Sequence, residues 1–215
     1  MFNVSEIVLP GNKISEEPMR LPGTYVMGSA TYASVVGIYD KEHKQFIPLE
    51  GLWQPKENDR VIGRIASRHL GSYIVDLNSP YKGIIITKFE HARLETGDII
   101  EATVREFKEL DDAMVVMLTR PKKLYGGLLL DIKPSKVLRV IGRGNTMINQ
   151  ITEYTKSTII VGLNGTIWIK GGNVSLASEA VKVIEQEAHI SGLTEKIKHM
   201  LEEKSGANRS QKEGA

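Results

Sequence analysis

The sequence predicts a multidomain β plus α/β protein. It reads as a small N-terminal β-hairpin domain, a closed β-barrel of the OB type and a C-terminal α/β domain. Three observations carry this reading. Turn formers crowd residues 1–53 and helical spacing is absent there. Five short runs with period-two patterning follow. Beyond residue 121 the pattern shifts to helical spacing interleaved with an Asn-Gly hairpin signal.

In the first stretch Pro10-Gly11, Pro22-Gly23, Gly28, Gly37, Pro48 and Gly51 separate β-prone runs such as Thr24–Met27 and Thr31–Ile38. Such hairpins are too short to hold a large core alone. The second stretch follows Trp53-Gln54-Pro55. Its runs are Arg60–Ala66, Tyr73–Leu77, Lys82–Thr87, Asp98–Phe107 and Ala113–Leu118, the last after an Asp111-Asp112 turn. Five short strands with tight connections suit a small closed barrel.

The third stretch opens with an apolar strand, Leu124–Ile132. Pro134 starts a short helix through Ile141, since proline is tolerated in a first turn. Gly142-Arg143-Gly144-Asn145 interrupts, and Met147, Ile148, Ile151 and Tyr154 then mark a second helix. Ser157–Val161 and Thr166–Lys170 flank the turn Gly162-Leu163-Asn164-Gly165. Asn173 or Ser175 can cap a helix carrying Leu176, Ala180, Ile184 and Ala188. A further helix is expected over Thr194–Glu203, then a polar, disordered tail.

Composition narrows the function. Hydrophobic residues make up 41% and charged residues 25%, values of a soluble globular protein. No apolar run reaches a bilayer-spanning length, and Met1–Pro10, without a basic start and an apolar stretch, is not expected to be a signal peptide. With no cysteine, disulfides, thiolate metal sites and thiol nucleophiles are excluded, and a cytoplasmic location is expected. The net charge of +2 is unevenly placed. Residues 121–215 carry fourteen Lys/Arg against nine Asp/Glu. Lys122, Lys123, Lys133, Lys136, Arg139 and Arg143 face one acid, Asp131, within 121–143. Such an excess attracts polyanions.

A glycine turn between two short helices lets a nucleic-acid backbone approach closely, and a helix N-terminus directs N–H groups at phosphate. Gly142, Arg143 and Gly144 form that turn, with Lys136 and Arg139 on the helix before it. The β-α-turn-α-β-β-α order resembles a KH domain, which grips single strands along a G-x-x-G loop. Here the last position of that loop is Asn145. The barrel stretch resembles an S1-type RNA-binding domain through Val61-x-Gly63-x-Ile65, Gly71-x-Tyr73-x-Val75-x-Leu77, Gly83 and Gly97-Asp98. Tyr73 stands where such domains carry a stacking aromatic, while Ile86 stands where a histidine is frequent. Arg64, Arg68, His69, Lys82, Arg105 and Lys108 are the expected phosphate contacts.

In this order the three modules resemble the S1/KH cap subunit of the exosome, in its compact archaeal form. Val8-Leu9-Pro10-Gly11, Ala33-Ser34-Val35-Val36-Gly37 and the G-x-N-G signature Gly162, Asn164, Gly165 support the resemblance. As a hairpin turn, the signature can serve packing between barrel and KH domain. The resemblance implies an N-terminal domain over 1–56 for ring attachment, an S1-type barrel over 57–121, a KH domain over 122–204 and a tail over 205–215. It also implies a non-catalytic protein without cofactor or metal. Its expected partners are single-stranded RNA and a hexameric ring of RNase PH-like subunits. Three caps would sit on that ring, alone or mixed with a second cap type, and guide RNA 3′ ends inward. No membrane is involved.

Two rivals remain on the sequence. The chain could be a free-standing S1/KH RNA-binding factor. It could also be a metal-dependent nuclease using Glu106, Glu109, Asp111 and Asp112. Against an enzyme, His43, His69, His91, His189 and His199 are scattered, and no nucleophile elbow or Walker loop occurs.

Overall fold

The structure is a computed structural model. It describes residues 5–212 except positions 20, 22, 42–43, 50, 90–92, 111–112, 189 and 191. The described residues form four sheets.

The N-terminal module is two small antiparallel sheets. One joins β1 (Ser5–Val8), β5 (Gly37–Asp40) and β6 (Gln45–Pro48); the other joins β2 (Lys13–Ser15), β3 (Thr24–Met27) and β4 (Ala30–Ala33). The run read as Thr31–Ile38 is therefore two strands in different sheets. Among the described residues the module's core is Val8, Ala33, Tyr39 and Phe46, with Ile14, Leu21 and Val35 against them. A hydroxyl reinforces it: buried Thr31 accepts from the Met19 N–H at 2.7 Å and donates to the Glu17 carbonyl at 2.8 Å.

Five strands follow: β7 (Arg60–His69), β8 (Ser72–Asp76), β9 (Lys82–Ile86), β10 (Ile99–Leu110) and β11 (Ala113–Leu124). Their pairing order β10-β11-β9-β8-β7 returns to β10 through the β10–β7 ladder and closes the sheet. Inward alternation buries Val61, Ile65, Tyr73, Val75, Ile85, Ile100 and Val104. Gly63 and Gly83 are space requirements here: a Cβ at Gly63 would lie 2.7 Å from the Asp76 carbonyl, and one at Gly83 would lie 2.8 Å from Leu118 Cδ1. Trp53 also belongs to this core, fixed by its Nε1–H donating to Asp59 Oδ2 at 3.0 Å.

The C-terminal domain stacks a β12-β14-β13 sheet on helices. The strands are β12 (Leu128–Asp131), β13 (Thr158–Val161) and β14 (Thr166–Lys170). The helices are α1 (Val137–Ile141), α2 (Thr146–Thr155), α3 (Val174–Gln186) and α4 (Leu193–Lys212). Of the two capping candidates for α3, Asn173 does the work: its Oδ1 accepts from the Leu176 N–H at 3.0 Å. Val140, Ile151, Ile167, Ile169, Ala180 and Ile184 fill the core, and Ile197 and Leu201 dock α4 onto it. Tyr154 on α2 donates to Glu202 on α4 at 2.7 Å. The tail expected to be disordered from 205 instead continues as helix to Lys212. No proline interrupts 204–212, and Lys204, Ala207, Arg209, Gln211 and Lys212 favour helix there against Ser205, Gly206, Asn208 and Ser210.

Candidate nucleic-acid interface

The barrel and the C-terminal domain meet at a seam built on the Gly162–Gly165 turn. Asn164 is 1% exposed. Its Nδ2 donates to the carbonyls of Ile62 and Leu77, each at 2.8 Å, and its Oδ1 accepts from the Ile62 N–H at 3.2 Å. Beside it the Leu163 N–H donates to the Arg60 carbonyl at 2.8 Å. Gly162 has no room for a side chain, since a Cβ would come within 2.8 Å of the Ile62 nitrogen. Gly165 holds φ +95°, in the left-handed region. A second, apolar contact packs Ile62 and Leu124 of the barrel against Trp168 of β14.

The barrel cations fall in three places. Cα partners run Arg64, Asp76, Lys82, Val115, Lys108 across β7, β8, β9, β11 and β10. Asp76 thus stands between Arg64 and Lys82 in register, and Lys108 pairs with Glu106 at 3.0 Å. One acid interrupts the cations of this row and a second, Glu106, pairs with its last lysine, so it is not a uniform basic face. Arg68 and His69 lie apart, at the β7–β8 turn, where His69 Nε2 is 3.0 Å from Ser67 Oγ. Arg105 is exposed at a register break of β10.

Tyr73 corrects the expectation of a stacking aromatic. It lies on the inward side of β8, is 4% exposed, and its hydroxyl accepts from the Leu94 N–H at 3.4 Å. A ring inside the barrel offers no face to a base. The cation on its outer side is Arg68, whose guanidinium carbon is 5.9 Å from the ring centroid.

At the helical turn, two glycines do different jobs. A Cβ at Gly142 would lie 2.7 Å from the Met147 nitrogen, so that glycine lets α2 start against α1. Gly144, at φ +55°, faces open space and leaves its backbone accessible. Asn145 supplies no side-chain cap to α2, and no acid occupies the first turn of that helix. Arg143 is exposed and Arg139 half-buried, its Nε without a hydrogen-bond partner. Burial, together with the like charge of Arg143, pushes the Arg139 guanidinium below its usual value. The arrangement is an electropositive turn on which Arg143 and Gly144 are exposed, suited to an anionic ligand. Lys136 differs from its expected role: it is 6% exposed, its side chain covered by the domain.

Among the described residues no group of three or more His, Asp or Glu is placed to hold a metal. Asp111, Asp112, His43, His91 and His189 lie outside the described residues. No described helix is long and apolar enough to cross a membrane.

A feature that sequence reading missed lies at the seam. Tyr125 was absorbed into a single strand read over Leu124–Ile132, yet β11 ends at Leu124 and β12 begins at Leu128. The signal was local: Lys122-Lys123-Leu124-Tyr125-Gly126-Gly127 sets an aromatic between two cations and two glycines.

Comparison with known proteins agrees with this architecture. The family described as Exosome RNA binding protein RRP4 N-terminal domain matches residues 5–50, and the KH domain family matches 127–175. The Exosome complex component Rrp4 of Pyrococcus furiosus is 37% identical over 91% of this chain and 82% of its own length. The one from Picrophilus torridus is 35% identical over 99% of both chains. A crystal structure provisionally described as an exosome complex RNA-binding protein aligns with TM-score 0.64 and 31% identity. The alignment covers 74% of this chain and 99% of that one. The class is thus that of multidomain chains pairing an Rrp4-type N-terminal domain with a KH domain. Within it, this chain belongs to the exosome complex component Rrp4 family.

Proposed function

We propose that this protein is a non-catalytic RNA-binding cap subunit of the exosome. It recruits single-stranded RNA and guides its 3′ end into a ring of RNase PH-like subunits for degradation or processing. The observation that carries this reading is the similarity to archaeal Rrp4 chains along nearly the whole length, N-terminal domain included. In this reading the N-terminal module attaches to the ring. Its small core and its exposed Ile7 and Met27, 68% and 59% accessible, support that role. The barrel acts as an S1-type domain, and three caps surround the ring entrance in the cytoplasm. Arg64, Arg68, Arg105 and the Gly142–Gly144 turn with Arg139 and Arg143 hold phosphates loosely. Sparse cations, all but Arg139 exposed, bind without reading bases and let RNA advance.

Tagged full-length protein, purified from its native source, should bring down RNase PH-like subunits in stable stoichiometry. A chain that purifies alone while binding RNA is instead a free-standing RNA-binding factor. Cleavage of RNA by the isolated chain with Mg²⁺, abolished by Asp111→Asn, would overturn the non-catalytic role.

A further inference from the structure

We propose that Tyr125 is a nucleobase-stacking platform at the seam between barrel and KH domain. The proposal rests on the RNA-binding reading above and names a contact within it.

Four observations converge on this residue. The residue is 65% exposed, in a chain whose two tryptophans are 5% and 6% exposed. Its backbone is held rigidly: the Tyr125 carbonyl accepts from Lys170 Nζ at 2.7 Å, and the next carbonyl, Gly126, accepts from Trp168 Nε1 at 2.6 Å. Gly127 adds a steric clamp, since a Cβ there would lie 2.7 Å from the Ile169 carbonyl. Two cations stand close, Lys123 Nζ 5.4 Å from the Tyr125 ring centroid and itself ion-paired with Asp98 at 2.7 Å, and Lys170 exposed at the end of β14.

These features define a ligand chemistry. A solvated ring on a fixed backbone loses little conformational entropy when it binds. A flat π-face beside ammonium groups suits a base stacked on the ring with its phosphate near a cation. Stacking tolerates any base, as a strand that slides past requires.

The test uses the full-length chain, a short fluorescent single-stranded RNA, and Tyr125→Ala, Tyr125→Phe and Tyr125→Trp. Tyr125→Ala should weaken binding about tenfold. It should leave the slope of log affinity against log salt unchanged, because no charge is lost. Tyr125→Phe should bind like the parent. Tyr125→Trp should bind, and its emission should be quenched by RNA to an extent the parent, with Trp53 and Trp168 buried, does not show. Equal affinity of Tyr125→Ala and parent, or a Tyr125→Trp emission unmoved by bound RNA, would overturn the platform and leave the RNA-binding reading intact. A parent chain that binds no RNA would overturn both. Matching thermal midpoints for Tyr125→Ala and parent establish that the fold is unaffected.

Discussion

Asn164 and Ile62 exchange two hydrogen bonds across 102 positions of sequence. The side-chain amide donates to the Ile62 carbonyl and its oxygen accepts from the Ile62 N–H, so a side chain imitates a neighbouring strand. A third bond, to the Leu77 carbonyl, secures β8 as well. Buried amides pair this fully only where geometry is fixed.

Replacing Asn164 by alanine strands one N–H and two carbonyls at a buried seam. We expect a loss of about 2–4 kcal/mol, and a single thermal transition separating into two as the barrel and KH domain uncouple. Differential scanning calorimetry of Asn164→Ala reads both effects. One unaltered transition would mean that the apolar contact of Ile62, Leu124 and Trp168 suffices.

Gly162→Ala should act on the same seam by overpacking, at about 1–3 kcal/mol, because the Ile62 nitrogen leaves no room for a methyl group. Urea denaturation followed by tryptophan fluorescence would report it, Trp168 lying at the seam.

The pair Arg64→Ala with Arg68→Ala should weaken RNA binding across all sequences and flatten the salt dependence by about one log–log unit per lost contact. Tyr73→Phe should leave RNA affinity unchanged, since that ring is interior. A loss confined to one RNA sequence, or a binding defect in Tyr73→Phe, would show that bases are read inside the barrel.

Asp98 and Lys123 tie the start of β10 to the end of β11 at 2.7 Å. The bond to Lys123 holds the Asp98 carboxyl below its ordinary range, and the same bond raises the Lys123 ammonium. Because the folded aspartate is the stronger acid, its contribution is complete above the unfolded value near 3.9 and fades as pH falls through the lowered one. The lysine contribution fades instead as pH rises through its raised value. The thermal midpoint of Asp98→Asn should therefore lie below the parent at neutral pH and converge with it in strong acid. A constant gap down to about pH 2 would remove the ion pair as its cause.

Deleting the N-terminal module should abolish ring assembly while RNA affinity survives. The structure sets where to cut: Trp53 is part of the barrel core, so the truncation has to end before it. Retained co-purification with RNase PH-like subunits would relocate the attachment surface.

Much of this architecture was legible because local signals agreed with tertiary needs. Alternation placed Val61, Ile65 and Val75 inward, and Asn164-Gly165 between β-branched runs marked its hairpin. The site was harder to read, because a residue type does not report which way its side chain points. Tyr73 and Lys136 carry the right chemistry but sit on covered faces. Lys108 is exposed enough to bind yet already has a carboxylate beside it. Thr31–Ile38 looked continuous because nothing in its composition shows that Ser34–Val36 carries the chain from one sheet to another.

The two glycines at the helical turn allow different freedom to change. At Gly142 any larger residue must displace the start of α2, whereas at Gly144 a side chain would project outward without touching the protein. A substitution at Gly144 therefore changes what can approach from outside but carries left-handed backbone strain of about 1–2 kcal/mol, which asparagine or aspartate bears most easily, so grip on a passing strand can be tuned there only at some cost to the turn.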